Sequence, residues 1–338
     1  MSNSKINISA YDLLKGRNEM AFFHAVSNLR TEIMGLAMLS VMLFHQYFTS
    51  IVPFNVFHNF GNWGVDVFLF LSGMGLVHSL EKNPFPIYFK RRFKRIIPSC
   101  ILCGTAKYIV FLLFGSSLAI LKDDLKIGWW SMASFDLWFI PTILILYIIS
   151  PLLHRILYRW PAITLIIISF SMLANGLTLR PSVGFSWTSP EGVLSHTIER
   201  LPVFAIGMFI AIRKGWIDNK IPYSMIFLII ALGIRLLIKS NLHLYGAYAY
   251  IFLALAFGVP ALITTNILLL RFAPPLLKRC IVFLGEYSLE LYLVHEFIYW
   301  SMKVNFIDTS PILLLPIWFI LSCIAAYLCK LTINKFLS

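Results

Sequence analysis

Ten apolar stretches, most of membrane-spanning length and joined by short connections, leave this chain little choice of architecture. They run over 30–48, 62–80, 97–115, 136–153, 161–178, 200–213, 222–238, 247–270, 280–301 and 311–330. A helix crosses the ~30 Å hydrocarbon layer with about 20 such residues. The composition agrees, with 59% hydrophobic and 13% charged residues and a mean hydropathy of +0.80, where soluble domains carry about 25% charged. The expected fold class is all-α: a polytopic membrane protein of about ten transmembrane helices. Residues 1–28 read as a cytoplasmic lead-in and 29–335 as a single membrane domain. The sixth stretch is short, so it is expected to be tilted, broken or longer than its apolar part.

Loop charge sets the expected orientation. Lys5, Lys15, Arg17 and Arg30 precede or open the first stretch, whereas 49–61 has no Lys or Arg. Residues 81–96 then hold Lys82, Lys90, Arg91, Arg92, Lys94 and Arg95. Alternation continues to a tail carrying Lys330 and Lys335, so both termini are expected inside the cell. The same placement redirects the formal charge of +13 away from a nucleic-acid partner and toward membrane lipid. The first ~20 residues lack the apolar core of a cleavable signal, so the first span is expected to persist. Of the five cysteines, Cys100 and Cys103 have redox spacing, but no βαβ pattern surrounds them. Buried thiols are the reading.

Placed on this topology, the unusual polar residues gather at one outer depth. His45 ends the first span and Asp66 opens the second. Trp138 opens the fourth, Glu199-Arg200 the sixth, and His295-Glu296 lie toward the outer end of the ninth. Each has an ordinary explanation: a satisfied core histidine, a carboxylate on a helix dipole, a local ion pair. Their convergence from separate spans points instead to function. The basic cluster 90–95, at the inner face, suits either anionic lipid or a phosphate-bearing ligand gripped by arginine forks. No metal-ligand spacing, glycine-rich phosphate loop or G-x-S-x-G elbow occurs, so no metal is predicted.

Five motifs in order then resemble the integral-membrane acyltransferase-3 family, from about residue 29 to 330. They are His45 with Gly64-Val65-Asp66-Val67-Phe68-Leu69-Phe70-Leu71-Ser72-Gly73, and Tyr88 to Pro98. Leu137 to Ile140 with Tyr147 and Pro151 follows, then Arg200-Leu201-Pro202 with Phe204 and Gly207, then Gly285 to His295. The resemblance implies O-acylation, commonly acetylation, of an extracytoplasmic glycan in the cell envelope, with acyl-CoA (acetyl-CoA foremost) as cytoplasmic co-substrate. A bacterial inner membrane is the implied location. His45 matches the family's essential histidine, and Arg91, Arg92 and Arg95 its basic motif. Met34 stands where the family often has an arginine, and Arg30, one turn earlier on the same helical face, is the candidate substitute.

On that reading Arg30, Lys90, Arg91, Arg92, Lys94 and Arg95 hold the CoA phosphates. His45 is the general base that an alcohol nucleophile needs, and Asp66 orients its tautomer. Trp138, Glu199, Arg200, Glu290, Tyr292 and His295 are candidates for positioning the acceptor or stabilising the oxyanion. Direct transfer and a covalent acyl-histidine stay open. Two other classes remain: a transporter of a glycan or small acid using the same polar path, and a non-enzymatic scaffold. Nothing in the sequence measures acyl-chain length or sets an oligomeric state.

Overall fold

The computed structural model describes residues 21–46, 61, 63–113, 138–182, 189–239, 247–305 and 311–337. Among them regular structure is helical, with no strand. The helices are α1 (Ala21–Asn28), α2 (Arg30–His45), α3 (Trp63–Lys82), α4 (Phe85–Leu113), α5 (Phe139–Arg159), α6 (Pro161–Ser182) and α7 (Pro190–Ile212). A 3₁₀ turn, Asp218–Lys220, leads into α8 (Ile221–Lys239), followed by α9 (Ala247–Phe272), α10 (Pro275–Glu286), α11 (Ser288–Asn305) and α12 (Pro311–Leu337). Seven segments, in α3, α5, α6, α7, α8 with its leading turn, α9 and α12, are long and apolar enough to cross a membrane. The passes expected at 30–48, 97–115 and 280–301 are helical over most of their described residues but are not among those seven.

One expected alternative holds and two readings change, each with a clear cause. The sixth span is longer than its apolar part: α7 starts ten residues earlier, at Pro190. Ser189 caps it, its side chain accepting from the Gly192 N–H at 3.0 Å. Glu191, His196, Glu199 and Arg200 depress its hydropathy, yet most of this polar half faces protein rather than lipid. The ninth span is two helices, because the chain leaves helical geometry at Tyr287 (φ −103°, ψ 14°). The basic stretch read as a loop is the first half of α4, continuous with the apolar half through Pro98.

Glycines bring two helix pairs together closely enough to fix the site. A Cβ on Gly73 would strike the Phe204 backbone, and one on Gly207 the Phe70 backbone, so α3 and α7 touch main chain to main chain. Gly35 against Ile281 and Gly285 against Thr31 do the same for α2 and α10. Asp218 Oδ1 accepts from the Phe22 N–H at 2.8 Å, pinning helix α1, whose Ala21, Phe22, Ala25 and Val26 are buried. Exposed apolar residues are most numerous on α8 and α12, among them Ile229, Ile320 and Leu328. Such faces suit lipid.

Candidate functional site

A cavity of ≈ 730 Å³, its open mouth included, runs between α2, α3, α4, α5 and α11. Its charged end is Arg30, Arg92 and Arg95; its apolar end includes Met34, Phe68, Phe139 and Tyr292. The helical period explains why only two of the five basic residues in 90–95 take part. Tyr88, Arg92, Arg95 and Ser99 lie along one face of α4, while Lys90, Arg91 and Lys94 lie along another and are exposed. Of the six residues expected to hold the donor phosphates, Arg30, Arg92 and Arg95 line the cavity, and Lys90, Arg91 and Lys94 stand outside its lining.

Local contacts hold this end in shape. Tyr88 OH lies 2.6 Å from Ser150 Oγ and donates to the Tyr147 carbonyl at 3.3 Å, tying α4 to α5. Arg92 Nη2 donates to the Gly75 carbonyl at 3.3 Å, and its Nε is buried without a hydrogen-bond partner. The Arg30 guanidinium also lies against Gly75, where a Cβ would come within 3.2 Å of Nη2. Glycine there leaves room for two guanidinium groups. Arg30 therefore reaches the same cavity as Met34, one turn below it.

The two histidines expected at separate stations meet. His295 Nε2 lies 3.1 Å from His45 Nδ1. His295 Nδ1 lies 2.9 Å from the Leu291 carbonyl and 3.0 Å from the Tyr292 carbonyl. Carbonyls only accept, so that nitrogen carries the proton, and in a neutral ring Nε2 is then an acceptor. His45 Nδ1 must donate to it, and the Val41 carbonyl, 3.0 Å away, also accepts there. The lone pair of His45 is thereby assigned to Nε2. Trp318 Nε1 fixes the fully buried His295 further, donating to its carbonyl at 2.8 Å.

Asp66 does not take the orienting role expected of it. Both its oxygens accept from Arg200 Nη1 at 2.6 Å, because the α3–α7 contact sets the two residues face to face. His295 and the Val41 carbonyl orient His45 instead. The Arg200 guanidinium is 4.0 Å from the Phe252 ring centre and 5.3 Å from that of Trp138. Glu199 lies 3.2 Å from His196 Nδ1, and His196 packs on Trp138 with ring centres 4.8 Å apart. Trp138, Glu199 and Arg200 thus form one cluster with Asp66. Glu290 is elsewhere: it accepts from Ser99 Oγ at 3.2 Å, toward the basic half of α4. Tyr292 joins the two regions, lining the cavity with its ring centre 5.9 Å from that of His295.

Two residues of this neighbourhood escaped the sequence reading. His196 fell in a stretch read as an outer loop; its signal was helical spacing to Glu199 and Arg200. Gln46 directly follows His45, is 2% exposed, and has neither amide atom hydrogen-bonded. Among the described residues no group of three His, Cys, Asp or Glu side chains is placed to hold a metal.

Comparison with known proteins adds the following. The profile of the acyltransferase-3 family, described as an acyltransferase domain, matches residues 34–334. ORF330 of Acidianus two-tailed virus, which carries the name of an acetyltransferase, is 32% identical over 133 residues. That match covers 37% of this chain and 40% of the viral protein. No solved structure matches the chain.

Proposed function

Since the chain belongs to the acyltransferase-3 family, we propose that it moves an acyl group from cytoplasmic acyl-CoA to a hydroxyl of an extracytoplasmic glycan, with His45 as general base. One observation carries this reading: a cavity lined by three arginines is also lined by the tyrosine that lies against His295, the partner of His45. Fifteen residues of α2 separate Arg30 from His45, about 22 Å along a helix. That distance covers most of a ~30 Å hydrocarbon layer, so phosphates gripped at the inner face and a hydroxyl at the outer face can belong to one site.

The chemistry follows from the assigned tautomer. The acceptor hydroxyl gives its proton to His45 Nε2 as its oxygen attacks the thioester carbonyl carbon. The tetrahedral intermediate collapses with cleavage of the C–S bond, and the departing thiolate takes the proton back from the imidazolium. His295, accepting at Nε2 from His45 Nδ1, supports the charge as it develops. Arg30, Arg92 and Arg95 supply the forks for the CoA phosphates. Trp138, Glu199 and Arg200 remain our candidates for the glycan side, and Gln46 joins them as a buried amide lacking a partner.

The wider setting belongs to the same proposal: ten passes, both ends cytoplasmic, in a bacterial inner membrane among its lipids. The test uses sealed vesicles given labelled acetyl-CoA on the cytoplasmic side. Wild type is expected to label a glycan, and His45→Ala to lower the rate by ~10²–10⁴ while still binding CoA. Glycan flux without any acyl transfer would instead identify a transporter.

A further inference from the structure

We propose that Phe68, Phe139 and Tyr292 form an aromatic constriction between the arginine-lined cavity and the histidine pair, and that it restricts the transferred acyl group to acetyl size. The inference rests on the donor reading above and names the substrate class within it.

The three rings come from three helices, α3, α5 and α11, and all line the cavity. Ring centres are 6.4 Å apart for Phe68 and Phe139, and 5.2 Å apart for Phe139 and Tyr292. Those are packing distances. Tyr292 in turn lies against His295, which faces His45. A thioester anchored at the arginines therefore meets the rings before it meets the base. Depth agrees: Phe68 is seven residues along α3 from Gly75, where Arg30 rests. That places it about 10 Å above the arginines, roughly halfway to His45.

The acyl group leads the pantetheine arm, so whatever passes the rings passes acyl end first. Phe68 and Phe139 are only half-buried, and turning them admits a narrow arm. Beyond them the described side chains are closely packed, with Val41, Met42, His295 and Trp318 all fully buried. A two-carbon group needs little room there, whereas a long tail would have to displace packed core.

The test compares acetyl-, butyryl- and octanoyl-CoA as donors in membranes holding wild type, Phe68→Ala, Phe139→Ala, Phe68→Leu or Phe139→Leu. Wild type is expected to favour acetyl, and the alanine variants to shift the octanoyl-to-acetyl ratio of kcat/KM upward by at least about tenfold. A wild type that uses octanoyl as readily as acetyl overturns the proposal, as does an unchanged ratio in the variants. If the alanine variants are inactive, the leucine variants carry the same test. Inactivity of all four with CoA still bound also overturns it, because the rings would then serve transfer rather than selection. Inactivity of wild type with every donor sinks the donor reading and this inference together.

Discussion

His45 has a partner that sequence reasoning assigned to another task. His295 was placed on the acceptor side; in the fold its Nε2 lies 3.1 Å from His45 Nδ1. Replacing it by Phe removes that acceptor while keeping a ring of similar bulk. We expect His295→Phe to lower kcat by about 10- to 100-fold, less than loss of the base itself, with CoA binding unchanged; single-turnover rates beside CoA titrations check this. Asp66 behaves differently. Its carboxylate and the Arg200 guanidinium are both buried, and removing one partner strands the other. Asp66→Ala should cost about 3–5 kcal/mol, read as a fall in the thermal midpoint of the detergent-solubilised protein. A catalytic orienter would instead lose rate with little loss of stability. That polar residues from separate helices converge was legible from the sequence; which partner each one takes was not. Partnership depends on where α2, α3, α7 and α11 touch, and no spacing along the chain encodes that.

At the level of helices, the basic stretch teaches most. Read as a loop, Lys90 to Arg95 had no faces; as the first half of α4 it has two, and only Arg92 and Arg95 line the cavity. The distinction predicts unequal effects from neighbouring residues. Arg92→Gln should raise the KM for acyl-CoA by about tenfold, in line with loss of a charged hydrogen bond of ~1.5 kcal/mol. Arg91→Gln should leave it within about twofold, measured with the same donor series. Apolar length located most helices, but it hid the start of α7 because Glu191, His196 and Glu199 look like loop residues. It also hid the break at Tyr287, where α10 turns aside to press Gly285 onto Thr31 of α2. Hydropathy measures transfer into lipid, and residues that face protein obey a different rule.

For the whole molecule, the membrane character and all-helical class were plain from composition and from the apolar stretches. The positions of Arg30 and His45 at opposite ends of α2 follow from helix rise alone. The cavity between them could not be foreseen, since five helices contribute to it. Pairing also has an electrical consequence. Asp66 cancels Arg200 within the bundle, and the proposed mechanism starts from neutral imidazoles at His45 and His295. A membrane voltage does ~2.3 kcal/mol of work per elementary charge per 100 mV, but only on charge that moves through the field. On the proposed mechanism the phosphates stay at the inner arginines and a neutral acyl group makes the crossing. Turnover in vesicles should therefore be the same with a potassium diffusion potential of either sign, whereas a carrier of a charged acid would respond to its direction.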